Sequence, residues 1–201
     1  MKTLASLAGC TLLLLGSCST TAKLGDTWRD PQVRDFTAAK TVVVVMSGET
    51  NYRRVAEEAI VHELGSGRSG TSYAFLDAAA LAEPKQAAEI ARGRGFDSAL
   101  VVRVLGGEEK KARVPGSYTP EYVTFSGQSY STAYLWPASD VEGEAHLKQT
   151  FLMESNLFAL GDDKLVWSGV VEISNPDSSR ELAQLNAEAV LSELRAQKLL
   201  R

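Results

Sequence analysis

Between residues 147 and 173 the sequence alternates so regularly that it fixes one part of the fold. Leu147, Gln149, Phe151, Met153, Ser155, Leu157 and Ala159 fall on one side of an extended chain. Gly161-Asp162-Asp163 supplies a turn, and Leu165, Trp167, Gly169, Val171 and Ile173 alternate on the return. This pattern predicts a long antiparallel hairpin with one buried face, Trp167 filling the core beneath it. A one-faced sheet needs a second layer. Ser178-x-x-Glu181 forms a capping box that opens a helix to about Leu199, with Ala183, Ala187, Val190, Leu191 and Leu194 turned inward.

The first half has a different period. Residues 41–46 (Thr-Val-Val-Val-Val-Met) form a continuous β-branched run, suited to a strand covered on both faces. Tyr52, Val55, Ala56, Ala59 and Ile60 follow at helical spacing, predicting a helix over 51–64 that Gly65 ends. Tyr73-Ala74-Phe75-Leu76 reads as a short second strand. Pro84 opens a helix over 84–93, and residues 98–105 form a third strand. Strands alternating with helices imply crossovers and parallel pairing. The chain has 201 residues, 44% of them hydrophobic and 23% charged, and no internal repeat, which suits one globular domain. The expected fold is α/β: βαβαβ, then a long hairpin and a C-terminal helix, in a mixed sheet of about five strands with three helices.

The N-terminus carries an address. Met1-Lys2-Thr3 precedes an apolar run from Leu4 to Gly16, too short for a transmembrane helix, which needs about 20 residues. Leu15-Gly16-Ser17-Cys18 looks like the lipobox of bacterial lipoproteins. By that resemblance residues 1–17 are a signal peptide, cleavage falls before Cys18, and its thiol takes a diacylglyceryl group and its amine a palmitate-type chain. Cys10 would leave with the signal, so Cys18 would be the sole mature cysteine and no internal disulfide can form. Ser19 follows it. In the sorting rule of enteric bacteria, aspartate at that place retains a lipoprotein in the inner membrane, so serine points to the outer membrane. Residues 18–25 are then expected to be a lipidated tether, and residues 26–201 the domain.

Residues 106–145 interrupt that domain with Gly, Pro and the aromatics Tyr118, Tyr122, Phe125, Tyr130, Tyr134 and Trp136. This insertion is expected to be irregular, with a hairpin at most. Tyr joins an apolar ring to a polar tip and is enriched at interfaces, so these residues are candidate partner contacts. The alternative is a loop folded back over the sheet on its own rings. Trp28 and Arg29 are further contact candidates; Trp28 packing on the domain edge to fix the tether's exit is the alternative.

Catalytic and cofactor motifs fail on context. Gly65-Ser66-Gly67-Arg68-Ser69-Gly70 spells GxGxxG, but it leaves a helix and enters a strand, the reverse of a phosphate-cradling loop, and Thr71 stands where a P-loop needs lysine. His62, near Glu58 and Glu63, lacks a third metal ligand in its neighbourhood, and His146 has no partner in view. Asp26, Asp30 and Asp35 cluster before the first strand with nothing to show that they converge. No GxSxG elbow is present. The formal net charge of −4 lacks a basic tract, which argues against nucleic acid. No metal, nucleotide or other cofactor is expected.

The chain resembles a family of uncharacterised lipoproteins of Gram-negative bacteria. The matching pieces are Thr27-Trp28-Arg29-Asp30-Pro31, Phe36, Arg53-Arg54 with Glu57, Phe96-Asp97 with Leu100-Val101-Val102-Arg103, the Pro/Tyr-containing insertion, Leu152-Glu154-Asn156-Leu157-Phe158 and Lys164-Leu165-Val166-Trp167-Ser168. The strand–helix order is distantly similar to periplasmic domains of envelope-assembly lipoproteins. The resemblance implies no catalytic residues and no substrate. The expected role is therefore a non-catalytic envelope lipoprotein, held to the bilayer by acylated Cys18, with a periplasmic domain that binds an envelope partner. The alternative is a periplasmic hydrolase acting on envelope material, which would need His62, Glu58 or Asp30 to converge.

Overall fold

A computed structural model describes residues 20–33, 35–109, 122–125, 128–131 and 149–201. Its elements, in chain order, are β1 (Thr21–Arg29), β2 (Thr41–Met46), α1 (Thr50–Leu64), β3 (Ser69–Thr71), a single 3-10 turn (Ser72–Ala74), α2 (Ala78–Ala82), α3 (Pro84–Gly93), β4 (Ser98–Glu109), β5 (Tyr122–Phe125), β6 (Gln128–Ser131), β7 (Gln149–Ala159), β8 (Lys164–Ser174) and α4 (Ser179–Ala196). Six strands form one mixed sheet in the order β1-β8-β7-β4-β2-β3, while β5 and β6 pair separately. The expected α/β class holds, with one more strand in the main sheet and one more helix than expected.

The valine run makes β2 the strand enclosed on both sides. It pairs in parallel with β3 and β4. Val43 and Val45 join the larger core under α1 and α4, whereas Val42 and Val44 join a smaller one with Ala91 of α3 and Phe96. Each such buried side chain contributes about 1.5–3 kcal/mol. β4, β7, β8 and β1 then continue the sheet antiparallel.

The hairpin carries the larger core. Phe151, Met153, Leu157, Trp167, Val171 and Ile173 face Leu182, Ala183, Ala187, Val190, Leu191 and Leu194 of α4. The alternation slips once. Leu157 pairs with Trp167 but Phe158 with Leu165, so Val166 is the extra residue of a bulge. Val166 is fully buried beside Trp167, and Leu165, expected inside, is only half-buried. The Trp167 ring lies across the backbone at Gly169, where a Cβ would come within 2.5 Å of it. α4 begins as expected: the Ser178 hydroxyl accepts from the Glu181 amide at 3.0 Å, and the Glu181 carboxylate accepts from the Asp177 amide. The helix stops at Ala196 rather than Leu199, which is nevertheless buried after a left-handed Lys198.

Three other expectations need correcting. The second strand is Ser69–Thr71, not Tyr73–Leu76, because the chain must pair with the start of β2 as soon as it leaves α1. Residues 72–74 instead turn once. Residues 21–25, expected in the tether, belong to β1: Thr21 to Leu24 pair with Ser174 to Val171. Their polar sequence hid this, since an edge strand is held by backbone bonds and here only Leu24 packs on the core. Finally, β4 runs through 106–109, inside the expected insertion. Of the insertion's remainder, only the backbone hairpin β5–β6 is described.

Candidate functional site

Two places in the fold combine unusual residues. The first lies at the carboxyl ends of the parallel strands, where open α/β sheets often hold ligands. Glu57, on the inner side of α1, is completely buried. Its Oε1 accepts from Arg53 Nε at 2.9 Å, from the Ser72 hydroxyl at 2.6 Å and from the Val45 amide at 3.2 Å. Its Oε2 accepts from the Tyr73 amide at 2.9 Å. Arg53 Nη2 donates to Ser72 Oγ and to the Leu76 carbonyl. Burying this carboxylate is tolerable only because both oxygens are satisfied and a guanidinium stands beside it. A carboxylate so engaged fastens α1, β2 and the turn after β3 together; it offers nothing to a substrate. The sequence showed Arg53 and Glu57 four residues apart on a helix, a spacing shared by ordinary surface pairs. Beside them, outside the core, the Tyr73 hydroxyl donates to Glu58 at 2.7 Å, and that bond holds its phenol above the usual range.

The second place is the far side of the sheet. Side chains directly opposite each other on paired strands share a face. Leu152 pairs with Glu172, which pairs with Lys23; Asn156 pairs with Ser168, which pairs with Trp28. All these lie opposite α1 and α4. Leu105 sits at a bulge of β4 against Leu152. The smaller core beneath α2 and α3 takes in residues of β2, β4 and β7, and none of β8 or β1. Among the described residues, no helix covers the face beyond it. Among the described residues the exposed large apolar side chains are Trp28 at 47%, Leu105 at 40% and Leu152 at 40%, and all three stand on this face. Leu152 and Trp28 are about 14 Å apart along the strands and about 10 Å across them, and Leu105 is one strand farther away. Between them Arg103 pairs with Glu154, and Lys23 stands opposite Glu172.

The residues singled out from sequence divide accordingly. Trp28 is half-exposed on this face, at the end of β1 remote from Thr21. Arg29 points the other way and donates to the Gln197 carbonyl at 3.0 Å, closing the end of α4. Cys18, Tyr118, Tyr134, Trp136 and His146, with the side chains of Tyr122 and Tyr130, lie outside the described residues. His62 has a side chain 82% exposed and, among the described residues, meets Glu63 at 3.3 Å. Glu58 is engaged by Tyr73, and Asp30 accepts from the Gln32 amide in its own turn. These three do not converge. Among the described residues no group of His, Cys, Asp or Glu could hold a metal ion. Sequence reasoning missed Leu105 and Leu152, whose exposure follows from which strands the helices cover.

No protein-family model matches this chain, and no curated protein sequence does. Among solved structures it is similar to the PelC dodecamer from Paraburkholderia phytofirmans, seen in two structures. These have TM-scores of 0.46 and 0.44 at 11% and 13% identity, with 91% of this chain covered and 100% and 99% of theirs. It is also similar to lipoprotein GNA1162 from Neisseria meningitidis, with a TM-score of 0.39, 14% identity, and 79% of this chain and 99% of that one covered.

Proposed function

We propose that this chain is a non-catalytic envelope lipoprotein, anchored through acylated Cys18 to the outer membrane, whose periplasmic domain binds an envelope partner. The observation that carries the reading is the sequence Leu15-Gly16-Ser17-Cys18 standing immediately before a folded domain. Among the described residues no helix is long and apolar enough to cross a membrane, so attachment of this domain would fall to the acyl chains. Two such chains hold a protein stably. The aromatic residues Tyr118, Tyr122, Tyr130, Tyr134 and Trp136 are the proposed partner contacts.

Metabolic labelling with palmitate tests the anchor. The wild type is expected to take label and fractionate with the outer membrane, and Cys18→Ser to lose both. Label retained by Cys18→Ser would refute it. Proximity crosslinking in living cells tests the partner: deletion of residues 112–138 is expected to remove the crosslinks and leave a cooperative thermal transition. Unchanged crosslinks would place the contact elsewhere.

A further inference from the structure

We propose that the helix-free face of the sheet, bearing Trp28, Leu105 and Leu152, is a membrane-contact surface through which the anchored domain lies on the lipid headgroups. The inference rests on the acylation of Cys18 and adds an orientation to it.

The length of chain between anchor and fold makes the case. Cys18 is two residues before Thr20, a span of about 7 Å at full extension. Thr20 is already fixed, its hydroxyl donating to the Asn175 carbonyl at 2.9 Å, and Thr21 pairs with Ser174. A domain tethered so closely must rest some part of its surface on the bilayer. The sides made by α1 and α4 present Arg54, Glu58, His62, Arg180, Glu188 and Arg195 outward. The face that no described helix covers presents leucine and tryptophan beside the charges of Lys23, Arg103, Glu154 and Glu172. Leu152 lies two residues beyond the row of Thr21, Ser174 and Thr150, about 7 Å along the strand and about 10 Å across from β1. The leucines are therefore within reach of the surface in which the acyl chains are sunk. Trp28, at the other end, is the side chain most typical of bilayer interfaces. The charges between them do not oppose this, because Arg103 faces Glu154 and Lys23 faces Glu172. Contact should then depend little on anionic lipid. Weak contacts suffice here, since the anchor keeps their local concentration high.

A single introduced cysteine tests this, because the Cys18 sulfur is blocked by its lipid and Cys10 is lost with the signal. The mature acylated protein is reconstituted in phosphatidylcholine vesicles with an environment-sensitive fluorophore on Leu152→Cys, Trp28→Cys or, as a control on α4, Glu188→Cys. The probes at 152 and 28 are expected to lose emission when the lipid acyl chains are brominated, and the probe at 188 to keep it. Adding phosphatidylglycerol should leave that loss unchanged. Full emission at 152 and 28 on protein that floats with the vesicles would overturn the contact and leave the anchor standing. Protein that fails to float would overturn the anchor itself. Were a second copy of the chain to cover the face instead, the emission at 152 would shift with protein concentration and ignore bromination, which would also overturn the proposal.

Discussion

The two faces of this sheet are built from the same strands by the same alternation, yet they behave as different materials. On one, Met153, Leu157, Trp167, Val171 and Ile173 are fully buried beneath α1 and α4. On the other, Leu105, Leu152 and Trp28 are near half-exposed, and the paired residues between them are polar apart from Val170. Hydrophobicity does not separate them, since leucine occurs on both. What separates them is where the helices lie. α1 and α4 pack together and cover one face, whereas the short α2 and α3 cover only the region around β2. An apolar residue in a strand thus marks core only where a second layer exists to meet it.

Substitutions on the two faces should differ by nearly an order of magnitude, and urea denaturation reads each. Trp167→Ala, in the covered face, should cost about 4 kcal/mol through lost burial and the cavity left behind. A cost under about 1 kcal/mol would mean that the covered face is as loose as the open one. Glu57→Gln should cost about 3 kcal/mol, because Arg53 keeps its charge in a nearly closed site. Gly169→Ala should cost about 2 kcal/mol, since the new methyl drives into the Trp167 ring. Leu152→Ser should change stability by no more than about 0.5 kcal/mol. A large loss there would mean that the open face is sealed by the protein itself. Alkali sharpens the same contrast. Tyr52 is buried, its hydroxyl has no hydrogen-bond partner among the described residues, and burial pushes its phenol well up from the usual value. Its neutral form is thus favoured by folding, and the stability tied to it is present below pH of about 10 and lost as pH rises beyond. Tyr52→Phe should flatten that part of the pH profile.

Much of the fold was legible because its signals are local. The valine run, the helical spacing of 51–64, Pro84, the alternation of 147–173 and the Ser178 cap each depend on near neighbours in sequence. The errors have distant causes. Val166 displaces Leu165 because a bulge, invisible in composition, lets two successive side chains enter the core. β1 escaped notice because its residues are polar and its bonds to β8 come from the backbone. Ser69–Thr71 is a strand because β2 has an edge to offer. The site was less legible than the fold. Arg53 and Glu57 were noticed without their role. Leu152 falls on the open side by the alternation alone, but Leu105 reads as part of a buried strand until the whole sheet is assembled.

The seating of β1 also decides how the molecule would bear tension. Under the proposed acylation, a tug on lipid at Cys18 would enter the protein at Thr20 and run along the axis of β1, while the bonds to β8 lie across it. The bonds of Thr21–Leu24 and of Thr27–Arg29, on either side of a bulge, would be loaded in shear and not peeled one by one. An acyl anchor fastened to such a strand behaves like a lap joint, and would resist extraction from the membrane without the outermost strand coming away first.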